Sequence, residues 1–260
     1  MNGVCVAEKI TFDIIQGLIN KKYSLIKIPD FYPRKICDLI SKRLLADPQK
    51  GSFIKAKNVQ RIGMPHFDIV DPISFEKYHN EAINSIEYLR KIYYPYLSPI
   101  DHFRLILDEL WPSGANVEVL YGKKCFVGLC RIIEAGTPLL PHVDRLCRDS
   151  SDSYLAHSLL TQLAVNTFIS TPKEGGELEL WLEEPDLEKY ERELAKTNNY
   201  HVDQTSLGEA DILVRPEAGD LIIFRSHCYH GLRKSKGGYL ASIAAFVGYR
   251  GLHQPLTMWS

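Results

Sequence analysis

Leu139-Leu140-Pro141-His142-Val143-Asp144 stands between the turn Ala135-Gly136-Thr137-Pro138 and the apolar run LLTQLAVNTFI at 159–169. Side chains on a strand alternate with a period of two, so His142 and Asp144 share one face while Val143 takes the other. A wall of strands would hold that pair rigidly. One further histidine from a distant strand would complete a 2-His-1-carboxylate face with open positions, which suits Fe(II) binding O2 beside a chelating co-substrate.

The surroundings read as sheet. From about residue 116, the runs NVEVLY, FVGLCRII, LLPHVD, LLTQLAVNTFI, GELELWL, DILVRP, DLIIF and YLASIAAFVGY are separated by Gly, Pro and Asp punctuation. They predict a mainly β core over 116–250, closed or double-sheeted in the manner of a jelly roll, with a charged helical insert at 183–198. The first 115 residues are mixed. KYSLIKI at 22–28 reads as a strand, and Ile36, Leu39, Ile40 and Leu44 mark one face of a helix. A second helix is expected near Phe75 to Tyr94, and Ser98-Pro99-Ile100-Asp101 has the signature of a capped start to a third. These helices are expected to pack on one sheet. No repeat or linker divides the 260 residues, so a single domain over 1–260 is expected.

Composition narrows the partners. Thirty-one Lys and Arg balance 32 Asp and Glu, without the basic surplus of a nucleic-acid binder. No apolar stretch approaches the roughly 20 residues that span a bilayer, and the opening MNGVCVAEKITFD has neither a basic n-region nor a long apolar one, so no membrane partner and a cytoplasmic location are expected. Cys5, Cys37, Cys125, Cys130, Cys147 and Cys228 form no CxxC pair and read as reduced thiols. Ten bases against three acids at 21–57 and nine acids against three bases at 174–196 read as solvated faces, with contact between the two as the alternative. Oligomeric state is not legible.

His-x-Asp occurs three times, as His66-Phe67-Asp68, His142-Val143-Asp144 and His201-Val202-Asp203. The first lies in the mixed region and the third follows the polar insert, so both are expected at loops or strand ends; the second lies inside the β-rich region. The distal histidine is sought in PEAGDLIIFRSHCYHGL, where both His227 and His230 follow a buried strand and local sequence does not choose between them.

With Arg131, Gly136, Pro141-His142-Val143-Asp144, the turn Gly175-Gly176-Glu177-Leu178, and Gly219-Asp220 followed by Phe224 and His230, the chain resembles the Fe(II)/2-oxoglutarate-dependent oxygenases. It is most similar to their small microbial branch of free-standing aliphatic halogenases and amino-acid or alkaloid hydroxylases. The resemblance rests almost wholly on 116–250. It implies a double-stranded β-helix (a cupin-like jelly roll), Fe(II) held by His142, Asp144 and His230, and 2-oxoglutarate and O2 as co-substrates. It further implies hydroxylation of an aliphatic C–H in a small molecule, such as an amino acid or natural-product intermediate. A carboxylate at Asp144 departs from the halogenases, which carry a small residue there.

One position departs from the pattern. The family usually places Arg or Lys about ten residues after the distal histidine, to pair with the far carboxylate of 2-oxoglutarate, and Ser or Thr two residues later. Here Leu240 stands at the basic position, although Ser242 follows where the hydroxyl belongs, beside Tyr239. A buried dianion needs a counter-charge, so another base must serve. Arg131 is the first candidate, with Arg145, Arg233, Lys234, Lys236 and Arg250 behind it. The missing cation also keeps two other readings open, an iron oxidase using the same triad without 2-oxoglutarate and a non-catalytic jelly-roll binding protein; a zinc hydrolase lacks an evident general base. Gln162, Ala164, Asn166 and Phe168 share one face of their strand, and Gln162 and Asn166 are candidates for contacting substrate. YYPYL at 93–97 is a candidate cover for the site or a core cluster at a helix end, and Trp181 reads as packing.

Overall fold

The computed structural model describes residues 3–260; Met1 and Asn2, which open the leader-free reading above, lie outside the described residues. In chain order the first part holds β1 (Val4–Val6), α1 (Phe12–Ile19), β2 (Leu25–Ile28), α2 (Arg34–Ala46), β3 (Gly51–Ser52), β4 (Val59–Ile62), α3 (Pro72–Tyr93) and α4 (Pro99–Leu110). There follow β5 (Ala115–Val117), β6 (Val119–Leu120), β7 (Lys123–Lys124), β8 (Leu129–Ile133), β9 (Leu139–His142), α5 (Leu146–Asp149) and α6 (Tyr154–His157). The remainder comprises β10 (Thr161–Ser170), β11 (Glu174–Gly175), β12 (Leu178–Leu180), α7 (Leu187–Thr197), β13 (Ile212–Val214), β14 (Leu221–Arg225), β15 (His230–Leu232), β16 (Ser235–Lys236), β17 (Leu240–Tyr249) and β18 (Leu256–Trp259).

Two sheets organise the molecule. The larger runs β1-β2-β14-β10-β17-β8-β4-β3, with β18 paired to the end of β17 and β5 beyond it. The smaller is four-stranded, β13-β12-β15-β9. All eight expected runs contain strand, and the architecture is mixed helix and sheet with one large sheet, where the sequence suggested a mainly β chain. The difference lies in the first 115 residues. Besides three substantial helices, this part supplies β2, which pairs with β14, and β4, which pairs with β8, so it extends the large sheet on both flanks.

The helices obey their local signals. Asp71 and Ser74 cap α3 reciprocally behind Pro72, and the Ser98 hydroxyl accepts from the Asp101 N–H at the start of α4. Both α2 and α4 lie against the large sheet, with α2 over β10 and α4 over β17. The buried stripe of α2 is Cys37, Ile40, Ser41 and Leu44. Leu39, expected on that face, is exposed, because the stripe centres one residue later than Ile36 and Leu39 would set it. With α2 packed against it and β14 and β17 on either side, β10 is buried along almost its whole length, in keeping with its unbroken apolar reading.

Trp181 packs with Val143, Tyr190, Leu194, Val202 and Tyr229 in a second, smaller core beneath α7. Tyr93 is fully buried, whereas Tyr94, Tyr96 and Leu97 face outward and do not line the site. The two opposite charge runs touch through Lys21 and Glu184, 2.6 Å apart. No helix among the described residues is long and apolar enough to cross a membrane, and all six cysteines are unpaired.

Candidate metal centre

His142 and His230 are register partners on neighbouring strands of the small sheet, β9 and β15. Side chains of directly opposed residues lie on the same face, so the two imidazoles meet with centroids 4.4 Å apart. Asp144 follows two residues beyond His142. Its Oδ2 lies 3.2 Å from His230 Nε2 and its Oδ1 4.0 Å from His142 Nε2. One donor atom from each of the three lies within 4.8 Å of the others, the only such group of three among the described residues. Neither of the other His-x-Asp pairs takes part, and nor does His227.

The ring orientation is fixed from behind. His142 Nδ1 lies 2.8 Å from the Leu140 carbonyl and His230 Nδ1 3.0 Å from that of Cys228. A carbonyl only accepts, so each Nδ1 carries a proton and each Nε2 is the ring nitrogen turned to the shared space. Burial, reinforced by His230, pulls His142 down to about 4, so this imidazole is neutral at physiological pH. Burial alone would push the Asp144 carboxyl up, but His142, His230 and Arg131 outweigh it and hold it at about 2. Two imidazoles and one carboxylate make up the N2O donor set that an Fe(II) site uses, and these residues fit such an ion.

Backbone contacts hold Asp144 in place. Its N–H donates to the Ser226 carbonyl, and its own carbonyl accepts from the Ser226 hydroxyl at 2.9 Å. Gln162, a candidate substrate contact, instead turns its side-chain oxygen to the Leu146 N–H at 2.9 Å and braces the chain after Asp144. Its buried amide is used by the neighbouring loop, where strand parity alone pointed to the cavity. Tyr190 of the insert and Tyr200 just after it secure the other side. Tyr190 Oη accepts from the Val143 N–H and Tyr200 Oη from the Leu140 N–H, each at 3.2 Å.

Behind the triad lies Arg131, on β8 of the large sheet. Its Nη2 donates to Asn166 Oδ1 at 2.6 Å, its Nε is buried with no hydrogen-bond partner, and no carboxylate of the described residues is within ion-pair distance of it. Burial lowers its affinity for the proton, with Asp144 opposing. Ser242 is the register partner of Arg131 across β8 and β17, and both line the space that His142, Asp144 and His230 face from the small sheet. Asn166 shares this inner face, but its amide oxygen is taken by Arg131. Tyr239 does not line this space; its carbonyl accepts from the Ser170 hydroxyl.

In front of the triad a cavity of about 350 Å³ opens outward. Its walls include Phe53, Lys55, Phe67, Asp68, Tyr190 and Tyr200, and near Asp144 also Arg145, Arg148 and Asp149. The motif His66-Phe67-Asp68, expected in a loop or at a strand end, forms a buried turn of 3-10 helix beside α5, and Asp68 reaches the cavity wall. His201-Val202-Asp203 stays apart, with Asp203 capping the short helix that follows. Asp149 was not marked by any motif. Burial, and then the charge of Asp144, raises its carboxyl to about 7.

No family model matches the chain. In sequence it is 27% identical over 168 residues to the L-gamma-glutamyl-L-propargylglycine hydroxylase of Streptantibioticus cattleyicolor, a match covering 62% of this chain. The chain spans 59% of that relative's length. In structure it is similar to an N-substituted L-amino acid dioxygenase from Burkholderia ambifaria, with a TM-score of 0.61 and 16% identity over 95% of this chain and 91% of that one. The same dioxygenase in complex with alpha-ketoglutarate gives a TM-score of 0.61 and 15% identity over 95% and 90% of the two chains. The chain therefore shares its fold with this N-substituted L-amino acid dioxygenase.

Proposed function

We propose that this chain is a non-heme Fe(II)/2-oxoglutarate-dependent dioxygenase that hydroxylates an aliphatic C–H of a small molecule, an amino acid or natural-product intermediate. One observation carries the proposal. Arg131 is a half-buried arginine whose Nε is buried without a partner and which has no carboxylate within ion-pair distance among the described residues, beside a His-Asp-His site, in a fold shared with a dioxygenase solved in complex with alpha-ketoglutarate. A buried cation left without an anion is costly, and the fork of an arginine matches a carboxylate. Arg131 therefore receives the far carboxylate of 2-oxoglutarate, with the Ser242 hydroxyl beside it.

His142, Asp144 and His230 would hold Fe(II), which would couple oxidative decarboxylation of 2-oxoglutarate to hydroxylation of the substrate. The protein's own part is placement. Leu140 and Cys228 fix the two imidazoles, Asn166 orients Arg131, and the cavity in front of Asp144 admits the substrate. The two sheets facing each other across the triad support a double-stranded β-helix, with the N-terminal helices and flanking strands built onto it as one domain. The full set of free thiols supports a reducing, cytoplasmic setting.

Anaerobic addition of Fe(II) and then 2-oxoglutarate to the apo-protein should bring up the visible charge-transfer band of the iron chelate. Iron binding without the band would refute the proposal in favour of an oxidase that does not use 2-oxoglutarate, and absence of iron binding would favour a binding protein.

A further inference from the structure

Three tyrosines and a tryptophan crowd one side of the triad, and one of them differs from the rest in what its polar end meets. Tyr200 stands edge-on to His142 with ring centroids 5.8 Å apart, and Tyr190 reaches the Val143 N–H between two ligands. Tyr229 immediately precedes His230, and its ring centroid lies 6.1 Å from that of Tyr190. Tyr190, Tyr229 and Trp181 are buried together in the small core beneath α7. Rings at this spacing are in contact and give an electron a continuous aromatic path.

Taking an electron from a phenol makes its O–H strongly acidic, so a tyrosine is readily oxidised only where a base can receive the proton. The Tyr200 hydroxyl accepts from the Leu140 N–H, while that of Tyr190 accepts from Val143 and turns its proton to the Tyr200 carbonyl at 3.5 Å. A carbonyl does not take up a proton near neutral pH. Arg148 also lies over the Tyr190 ring, 5.7 Å from its centroid, and a cation there opposes loss of an electron. Trp181 spends its N–H on the Gly208 carbonyl. Of the four, only Tyr229 donates to a carboxylate, Oε2 of Glu193 on α7. Glu193 is partly exposed, and Lys189, 4.0 Å from its other oxygen, favours the charged form.

We propose that Tyr229, with Glu193 as its base, is the outlet for an oxidising equivalent formed at the triad when O2 and 2-oxoglutarate react with no substrate in the cavity. This rests on the dioxygenase reading above. One electron leaves Tyr229 for the metal centre, along the Tyr190 ring or the backbone to His230; the Oη–H bond breaks and its proton moves to Glu193 Oε2. A neutral tyrosyl radical and a neutral carboxyl result. A one-electron reductant of the ascorbate class then restores the phenol, with Glu193 returning the proton, and two such rounds discharge a two-electron equivalent. The function is protection, because the oxidant is spent on a ring that can be repaired and not on the ligands or the cavity wall.

The test loads the protein with Fe(II) and 2-oxoglutarate without oxygen, mixes it with O2 in the absence of substrate, and freezes it at successive times for electron paramagnetic resonance. The wild type should lose the chelate band and develop a tyrosyl signal whose hyperfine splitting collapses when the tyrosines are ring-deuterated, and ascorbate should erase it. Tyr229→Phe should form the chelate band as before but lose the signal, and peptide mass spectrometry should then find added oxygen at Tyr190 or Tyr200 that the wild type is spared. Glu193→Gln keeps every ring and removes only the base, so it should lose the signal likewise. Being partly exposed on α7, it decides the matter where Tyr229→Phe fails to fold.

The inference is overturned if the chelate band decays in O2 with no tyrosyl signal, if the signal survives in Tyr229→Phe, or if Glu193→Gln forms it as fully as the wild type. A wild-type protein that shows no chelate band refutes the dioxygenase reading, and the inference falls with it.

Discussion

Replacing Arg131 by Gln should separate co-substrate binding from everything else in the site. Glutamine removes the charge and, two bonds shorter, also gives up the hydrogen bond that Arg131 Nη2 makes to Asn166 Oδ1 at 2.6 Å. On the proposed role, that charge would face a carboxylate of 2-oxoglutarate away from water, and losing one member of such a pair costs about 2–5 kcal/mol. At 1.4 kcal/mol per decade, 2-oxoglutarate binding should weaken by roughly 30-fold to several thousand-fold. The metal-free, co-substrate-free protein should behave oppositely. There the guanidinium is already desolvated without a counter-ion, so its removal should leave the melting temperature unchanged or raise it. Fe(II) affinity should stay near wild type, because Arg131 donates no ligand. Anaerobic titration of the chelate band gives the first quantity, and thermal unfolding with and without 2-oxoglutarate gives the second. A variant that binds 2-oxoglutarate as tightly as wild type, or that is destabilised by several kcal/mol without it, would show that Arg131 is a structural residue.

Three further outcomes are expected. Tyr190→Phe leaves the buried Val143 N–H without its acceptor and should cost about 1–3 kcal/mol of stability, with weaker Fe(II) binding because Val143 lies between two ligands; unchanged unfolding and iron affinity would dismiss the brace. Asp144→Ala should abolish iron binding with the fold intact, whereas Asp203→Ala at the exposed cap should leave it unaltered, and loss of iron on changing Asp203 would mean the wrong motif had been chosen. His66 is buried and pulled down to about 4, chiefly by burial, so between pH 6.5 and 4 the unfolded chain takes up a proton that the folded chain refuses. Stability from this residue is intact above 6.5 and falls as pH drops, by about 2 kcal/mol between pH 7 and 5. Denaturant unfolding of wild type against His66→Gln at both pH values measures it; an equal acid loss in the two proteins would contradict this assignment.

What was legible in the sequence was local. His142 and Asp144 announce themselves by period-two spacing, and the capped start at Ser98 and the helix at 187–197 follow from signals a few residues long. Choosing His230 over His227 needed the family's spacing, because the register that sets His230 against His142 joins strands far apart in the chain. The outer cavity was less legible still. Phe67 and Asp68, read as part of a loop or strand end, Tyr190 of the charged insert, and Arg148 and Asp149, which no motif marked, come from separate segments, and only tertiary packing brings them to one wall. Gln162 shows the limit of parity. It lies on the inward face with Asn166, yet its amide is used by a neighbouring backbone N–H that no local pattern reveals.

The cation missing from position 240 has a structural answer of the same kind. Leu240 is buried opposite Ile133, while Ser242, two residues on, is opposite Arg131. Opposed residues on adjacent antiparallel strands project their side chains to the same face only a few ångströms apart. A base on β8 at that register therefore reaches the space beside the Ser242 hydroxyl that a base on β17 would serve. Moving the charge to β8 also places it across from Asn166 on β10, since β17 lies between the two strands, and Asn166 can fix the guanidinium without neutralising it. An acid at 166 would satisfy the same geometry but would cancel the charge that 2-oxoglutarate would need on the proposed role of Arg131. Asn166→Asp should accordingly weaken 2-oxoglutarate binding while raising stability without it, the reverse of what a purely structural hydrogen bond would do.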